Sequence, residues 1–306
     1  MKIVFAGSPE FAVPSLKKLL ECKREVVAVI TQPDKPVGRR RVLTPTPVKE
    51  YALSMGLPVY GFPKIRSEVE TLKSLNADIM ITCAYGQMLS KEVLDVFKGG
   101  VWNIHASLLP RFRGASPIQA AILSGDEYTG VTVMKTELEM DTGDMLLVKR
   151  CPVGGLTCGE LTEKLALLGA EAAEEAVGLL ERGDRQLLMQ DDSKATYCKK
   201  LNKEDGKLDF SNSPQHICRL IKAFSPSPAA FCRFGGADLN IFNAEECEAF
   251  EGKCGEVVAV GKRGITVKCG GGGGILITDL QISGGKRMKA ADFVNGRKIK
   301  TGDVLE

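Results

Sequence analysis

Two histidines occur in 306 residues, and one of them, His105, stands two places after Asn103 in the stretch NIHASLLPRFRG. On a strand, i and i+2 side chains share one face. An amide donor beside an imidazole suits the stabilisation of an oxyanion during acyl transfer. A carboxylate completes such a set, and Asp141, in the turn EMDTGDMLL, is the candidate. Each residue also has a plainer use. His105 alone would serve equally well to close a loop by a hydrogen bond. An aspartate in an Asp-Thr-Gly-Asp turn commonly caps neighbouring N–H groups, and Asp144 could do that capping instead.

No serine or cysteine has a base in an activating motif, which argues against a covalent acyl-enzyme. The expected chemistry is direct attack of an amine on a carbonyl carbon. Asn103 and protonated His105 would donate to the oxyanion. Asp141 would keep the imidazolium charged and help take the amine's proton, directly or through water. No metal is expected: the ten cysteines are scattered without a CxxC pair, and the second histidine, His216, falls in another region. Those cysteines read as reduced, small apolar side chains.

The first 180 or so residues alternate strand-like and helix-like segments. KIVFAG, EVVAVIT, ADIMITCA and GGVWNIHA read as strands, apolar on both faces; VPSLKKLLE, VKEYALSMG, SEVETLKSL and SKEVLDVF, the last with a serine cap, read as helices. This pattern predicts a Rossmann-like, mostly parallel sheet covered by helices. Asn103 and His105 then lie at the carboxyl end of a strand, where open α/β sheets bind ligands. A helix at SPIQAAILSG, the strands TGVTVMKTE and DMLLVKRCPV, and a long helix from about Thr157 to Glu181 complete an α/β domain over 1–182. Residues 183–206 lose periodicity and read as a linker with one short strand. From 207 to 306 a helix, SPQHICRLIKAF, is followed by short strands between glycine turns, the pattern of a small barrel. The run Gly270 to Gly274 reads as a flexible hairpin tip between two of them. GSPEF lacks the three-glycine fingerprint, so no nucleotide cofactor is expected.

Composition, at 44% hydrophobic and 26% charged, is that of a folded globular chain. No run of apolar residues is long enough for a membrane span, and the start MKIVFAGSPEF lacks an export signal, so a cytoplasmic protein with no membrane partner is expected. The net charge of +3 excludes little, but its distribution is uneven. Thr31 to Lys49 holds Lys35, Arg39, Arg40, Arg41 and Lys49 against the single acid Asp34, with prolines at 33, 36, 45 and 47. Residues 251–306 carry ten basic side chains against six acidic ones, among them Lys286, Arg287 and Lys289. Two basic regions on two domains fit the phosphates of a folded RNA.

HASLLPRFRGASPIQAAI, followed by TGVTVMKTELEMDTGDMLL, resembles the 10-formyltetrahydrofolate-dependent formyltransferases. TQPDKPVGRRRVLTPTPVK, ATYCKKLNKEDGKLDF and LQISGGKRMKAADFVNGR extend the resemblance over the whole chain, to the branch of that family that acts on charged initiator tRNA. The resemblance implies that Asn103, His105 and Asp141 are catalytic and that the formyl donor is 10-formyltetrahydrofolate. It implies that Gln87, Met88, Leu89, Ser107, Leu108, Leu109 and Pro110 line the folate path, backbone groups more than side chains. It implies an OB-like, tRNA-binding carboxy-terminal domain, with Arg39 as the key arginine of the basic loop; the charge distribution adds Lys35, Arg40, Arg41, Lys49, Lys286, Arg287 and Lys289 as expected tRNA contacts. Two positions depart from the family pattern: Ser227, where an aromatic is usual, and Ser90, where proline is usual. A monomer is expected. Two other readings compete: a formyltransferase for a small amine, such as a phosphorylated ribosyl glycinamide or an amino sugar nucleotide, and an RNA-binding protein without catalysis.

Overall fold

Apolar, β-branched strands that cannot leave either face in water dictate the first unit. The computed structural model describes residues 1–38, 40–248, 251–296 and 299–306. The chain forms two compact units, one of 1–117, 128–152 and 162–198, the other of 118–127, 153–161 and 199–306.

In the first unit the chain runs through β1 (Lys2–Gly7), α1 (Val13–Glu21), β2 (Glu25–Thr31), β3 (Lys35–Val37), β4 (Val42–Thr44), α2 (Pro47–Ser54), β5 (Val59–Gly61), α3 (Val69–Ser74), β6 (Ile79–Cys83), α4 (Lys91–Leu94), β7 (Val101–His105) and β8 (Arg113–Gly114). After α5 (Pro117–Ser124) it continues through β9 (Tyr128–Lys135), β10 (Met145–Pro152), α6 (Cys158–Glu181) and β11 (Tyr197–Cys198). The main sheet has the order β10-β9-β7-β6-β1-β2-β5. Its pairs from β7 to β5 are parallel, while β9 runs antiparallel to both β7 and β10. Val4, Ala6, Ala28, Ile30 and Met80 pack on one face with Leu72 of α3 and Val93 of α4. Ile3, Phe5, Val29, Ile79 and Ile81 on the other face are equally buried. Burial on both faces is what a parallel sheet requires.

Local signals set several ends. Thr46 caps α2, its hydroxyl accepting from Lys49 N at 3.2 Å, with Pro47 at the first helical position, where its missing N–H costs nothing. The expected helix SKEVLDVF shrinks to the single turn α4, and Ser90 makes no side-chain cap there. The basic loop is a β-hairpin, with Lys35 opposite Thr44 and Val37 opposite Val42. The stretch after α6 is docked rather than free: Leu188 exchanges both backbone hydrogen bonds with Met145 at 2.9 Å, and β11 lies parallel to β8.

The second unit contains α7 (Pro214–Phe224), β12 (Ala230–Phe234), β13 (Ala237–Cys247), β14 (Val257–Gly261), β15 (Gly264–Lys268), β16 (Gly274–Ile282), β17 (Met288–Lys289) and α8 (Ala290–Gly296). Ser213 caps α7, and Ile217, Leu220, Ile221 and Phe224 form its buried stripe at helical spacing. The strands follow the order β12-β13-β16-β15-β14, with β17 on β16. The last residues join the two edges. Val257 of β14 donates to Asp303 O and accepts from Gly302 N, and Arg233 of β12 exchanges backbone bonds with Glu306. This strap closes the sheet into a small barrel, and edge N–H and C=O groups otherwise left open find partners. Gly270 to Gly274 is not a free tip. Gly270 N donates to Phe210 O and Asn212 O, and a Cβ there would lie 1.8 Å from Ser211 O.

Leu305, 2% exposed, anchors the strap. Leu305→Ala is expected to cost about 2–4 kcal/mol, read as a lower denaturant midpoint of the second unit's unfolding. An unchanged midpoint would show that the strap contributes nothing to closure.

Candidate active site

Asn103 and His105 stand on β7 between two strands that contribute threonines. β6 runs parallel and places Thr82 beside Asn103; β9 runs antiparallel and places Thr132 beside His105. Thr82 Oγ1 donates to Asn103 Oδ1 at 2.9 Å. This bond fixes the amide and leaves Asn103 Nδ2 without a hydrogen bond among the described residues. Thr132 Oγ1 donates to Ser107 O at 2.7 Å and accepts from Leu109 N at 3.2 Å, pinning the loop that follows His105.

His105 is 6% exposed. Its Nε2 lies 2.9 Å from Phe112 O. A carbonyl only accepts, so Nε2 carries hydrogen and Nδ1 is the nitrogen left for chemistry. His105 Nδ1 lies 3.7 Å from Asp141 Oδ2. That is a charge contact, too long for a good hydrogen bond. The loop-closing use of His105 and its use as a donor are therefore compatible, because they fall on different ring nitrogens.

Asp141 does not cap its own turn. Its Oδ2 accepts from Gly114 N at 2.8 Å, across from β8. Gly114 has φ +113, and a Cβ on it would lie 2.3 Å from Cys198 O, so only glycine brings that N–H in. Gly143 of the same turn sits against Lys135 O, 1.8 Å from where its Cβ would be. Ala84, Phe112 and Asp141 all have left-handed backbones, with φ of +48, +60 and +57. Each such residue costs on the order of 1–2 kcal/mol. All three border the carboxyl ends of β6 and β7 or the turn that faces them.

Beneath the site, Leu109, Met134 and Met145 form a buried apolar cluster. Behind it lies Arg113, 1% exposed. Its Nε and Nη2 donate to Gln190 Oε1 at 3.1 and 2.9 Å, Nη2 also reaches Asp192 Oδ1 at 2.6 Å, and Nη1 reaches the Tyr197 hydroxyl at 3.1 Å. Burial by itself would lower the Arg113 pKa, but Asp192 and Tyr197 more than offset it. Cys198 lies nearby. Burial, with a contribution from the Asp141 charge, raises its thiol pKa, so it is a poor nucleophile at neutral pH.

Several expected contacts are used by the protein itself. Gln87 Oε1 accepts from Ile65 N at 2.8 Å, and its Nε2 donates to Phe62 O at 2.7 Å. Ser107 Oγ donates to Arg111 O at 2.6 Å, Leu89 packs on the core, and Leu109 lies in the cluster just described. These four side chains bond or pack within the protein itself. Met88 is largely exposed. Lys49 Nζ holds Asp34 at 2.7 Å. Arg287 grips Asp279 through two bonds of 3.1 and 3.0 Å, and Lys289 lies 3.5 Å from the same carboxylate. These three cations are partly neutralised within the protein. Lys35, Arg40, Arg41 and Lys286 are exposed, and Arg39 lies outside the described residues. Among the described residues no cluster of three histidine, cysteine, aspartate or glutamate side chains could hold a metal, and no helix is long and apolar enough to cross a membrane.

Residues 1–177 match the model of the formyl transferase family, and residues 200–298 match its carboxy-terminal domain. The methionyl-tRNA formyltransferase of Geotalea uraniireducens is 42% identical over 308 residues, covering 100% of this chain and 98% of its own. Among solved structures, an N-formyltransferase from Helicobacter canadensis in complex with folinic acid and dTDP-3-aminofucose aligns with TM-score 0.69 at 18% identity, covering 90% of this chain and 98% of its own. The methionyl-tRNA formyltransferase of Clostridium thermocellum aligns with TM-score 0.58 at 16% identity, covering 92% and 98%. At such identities the structures establish the two-part fold, and the match along the full sequence establishes the kinship: the chain belongs to the formyl transferase family, among its methionyl-tRNA formyltransferases.

Proposed function

We propose that this protein transfers the formyl group of 10-formyltetrahydrofolate to the α-amine of methionine on initiator tRNA, with Asn103, His105 and Asp141 as its catalytic residues. The observation that carries this reading is the set at the end of β7: an amide N–H2 and an imidazole nitrogen, neither with a hydrogen bond among the described residues, and a carboxylate 3.7 Å from that nitrogen. The folate supplies the formyl carbon and, at N10, the leaving nitrogen. The AYGQML and SLLP segments, which follow β6 and β7, offer backbone groups and the side chains of Met88, Leu108 and Pro110 to hold it.

The amine must be neutral to attack. Asp141 Oδ2, already fixed by Gly114 N–H, accepts the amine's proton as the new N–C bond forms. The 3.7 Å between His105 Nδ1 and Asp141 leaves room for a third polar atom about 2.8–3.0 Å from both. Protonated at Nδ1, His105 donates to the oxygen on which negative charge gathers, and Asn103 Nδ2 donates to the same oxygen. Each donor is worth about 3 kcal/mol in the transition state. As the carbon–N10 bond breaks, the electron pair on oxygen re-forms the carbonyl and N10 takes the proton that Asp141 had accepted, so Asp141 is again a carboxylate, His105 keeps its proton, and no group on the protein is consumed.

Full-length identity to a methionyl-tRNA formyltransferase, second unit included, favours charged tRNA over a small amine. The hairpin β3–β4 leaves the end of β2 on the sheet edge that also bears His105. It presents Lys35, Arg40 and Arg41, with Arg39 between them in sequence, to an RNA acceptor end. Guanidinium groups pair with phosphates and stack on unpaired bases. The protein would work as a monomer, in the cytoplasm where charged tRNA is found.

Competition among charged initiator tRNA, uncharged tRNA and a small amine tests the substrate assignment; preference for the small amine would overturn it. Alanine at Asn103, His105 or Asp141 is expected to lower turnover at least about a hundredfold while tRNA binding stays within about twofold. Wild-type turnover in His105→Ala would end the proposed chemistry. Alanine at 39, 40 and 41 together is expected to reduce kcat/KM for charged tRNA by at least about tenfold and to flatten its salt dependence. Alkylation at neutral pH is expected to reach the exposed Cys22 and Cys254 first without loss of activity. Mass spectrometry beside an assay checks this order, because the raised pKa of Cys198 protects it.

A further inference from the structure

A glutamine from the stretch after α6 reaches the turn that carries Asp141. Gln190 is 6% exposed, and every polar atom of its side chain is in use. Its Nε2 donates to Asp141 O at 2.9 Å and to Gly143 O at 2.7 Å, while its Oε1 accepts from Arg113 Nε and Nη2. Arg113 is followed by Gly114, whose N–H holds the Asp141 carboxylate. A single amide therefore ties the backbone of Asp141 to the residue adjoining its carboxylate's own partner. The tie also holds the left-handed backbone of Asp141, φ +57, a region that aspartate enters more readily than most residues but still at some cost.

We propose that Gln190 is a positioning residue: through the carbonyls of Asp141 and Gly143 it sets the Asp141 carboxylate against Gly114 N–H and His105 Nδ1. The inference rests on the catalytic roles proposed above. The plainer alternative is that Gln190 only anchors its own segment to Arg113. That segment has other anchors: the backbone pair of Leu188 with Met145, and Arg113 N donating to Thr196 O at 2.8 Å. Loss of the amide thus loosens the turn without releasing the segment.

Two substitutions separate the readings. Gln190→Glu keeps an acceptor for Arg113 but has no N–H2, and sets a carboxylate oxygen against two carbonyl oxygens. Gln190→Met fills the space and makes neither set of bonds. Turnover on charged initiator tRNA is expected to fall at least about tenfold in both, since a displacement near 1 Å can cost about a hundredfold, with KM for both substrates within about twofold. Imidazole NMR supplies a readout that does not depend on activity. The chain has two histidines, and exposed His216, on the first turn of α7, serves as the internal reference. The His105 ring signals are expected to move in both variants and those of His216 to stay. Gln190→Glu with wild-type turnover and unmoved His105 signals would overturn the inference and leave Gln190 as an anchor. Should the wild-type protein fail to formylate charged tRNA, the proposed function falls, while the His105 signals still decide the positioning.

Discussion

A guanidinium removed from water has to be given partners, and Arg113 finds its main one, Gln190, 77 residues further along the chain. An unpaired buried charge would cost several kcal/mol, so this requirement folds the stretch after α6 back onto the first unit. Once there, Gln190, Asp192 and Tyr197 satisfy the cation, and the other half of the glutamine amide turns to the Asp141 loop. The placement of the Asp141 turn is thereby tied to the pairing of a buried charge. Satisfying Arg113 and orienting Asp141 are one structural event.

The donors at the strand end are preorganised in the same indirect way. Asn103 is oriented by a threonine on one neighbouring strand, and the loop after His105 is pinned by a threonine on the other. Phe112 accepts a left-handed backbone and points its carbonyl at His105 Nε2. The left-handed backbones of Phe112 and Asp141 are held by the bonds of Phe112 O to His105, of Asp141 O to Gln190 and of Asp141 Oδ2 to Gly114. In the proposed reaction these groups would need little reorganisation, the condition under which fixed dipoles stabilise a transition state most.

Periodicity made the parallel sheet, the small barrel and the strand-end position of Asn103 and His105 legible before any coordinates, because burial on both faces leaves a plain mark on composition. Other features left none. That Thr82 meets Asn103 depends on strand register, and that Gly114 meets Asp141 depends on a loop path. Lys49, Arg287 and Lys289 looked available because a count of charges does not reveal which are paired. Gln190 was hidden by an inversion of the usual rule: Leu187, Leu188 and Met189 before it are exposed at 37, 63 and 80%, while the glutamine is buried. A stretch whose apolar residues face water and whose polar residue does not reads as a linker.

The hairpin β3–β4 has a base that is already tied. Thr31 and Thr46 share a hydrogen bond between their hydroxyls, and Asp34 pairs with Lys49 just outside the paired strands. β2 and α2 are joined by these contacts whether or not the residues between them form a hairpin. The excursion from 35 to 44 is thus a detachable module, with Gly38, Arg40 and Arg41 exposed and its stem carrying Val37, Val42 and Leu43 in the open. Evolution or an engineer could shorten it, exchange it or graft it at this stem with β2 and β7 undisturbed. In this architecture the exposed basic hairpin and the strand-end set of Asn103, His105 and Asp141 are carried by separate pieces of chain.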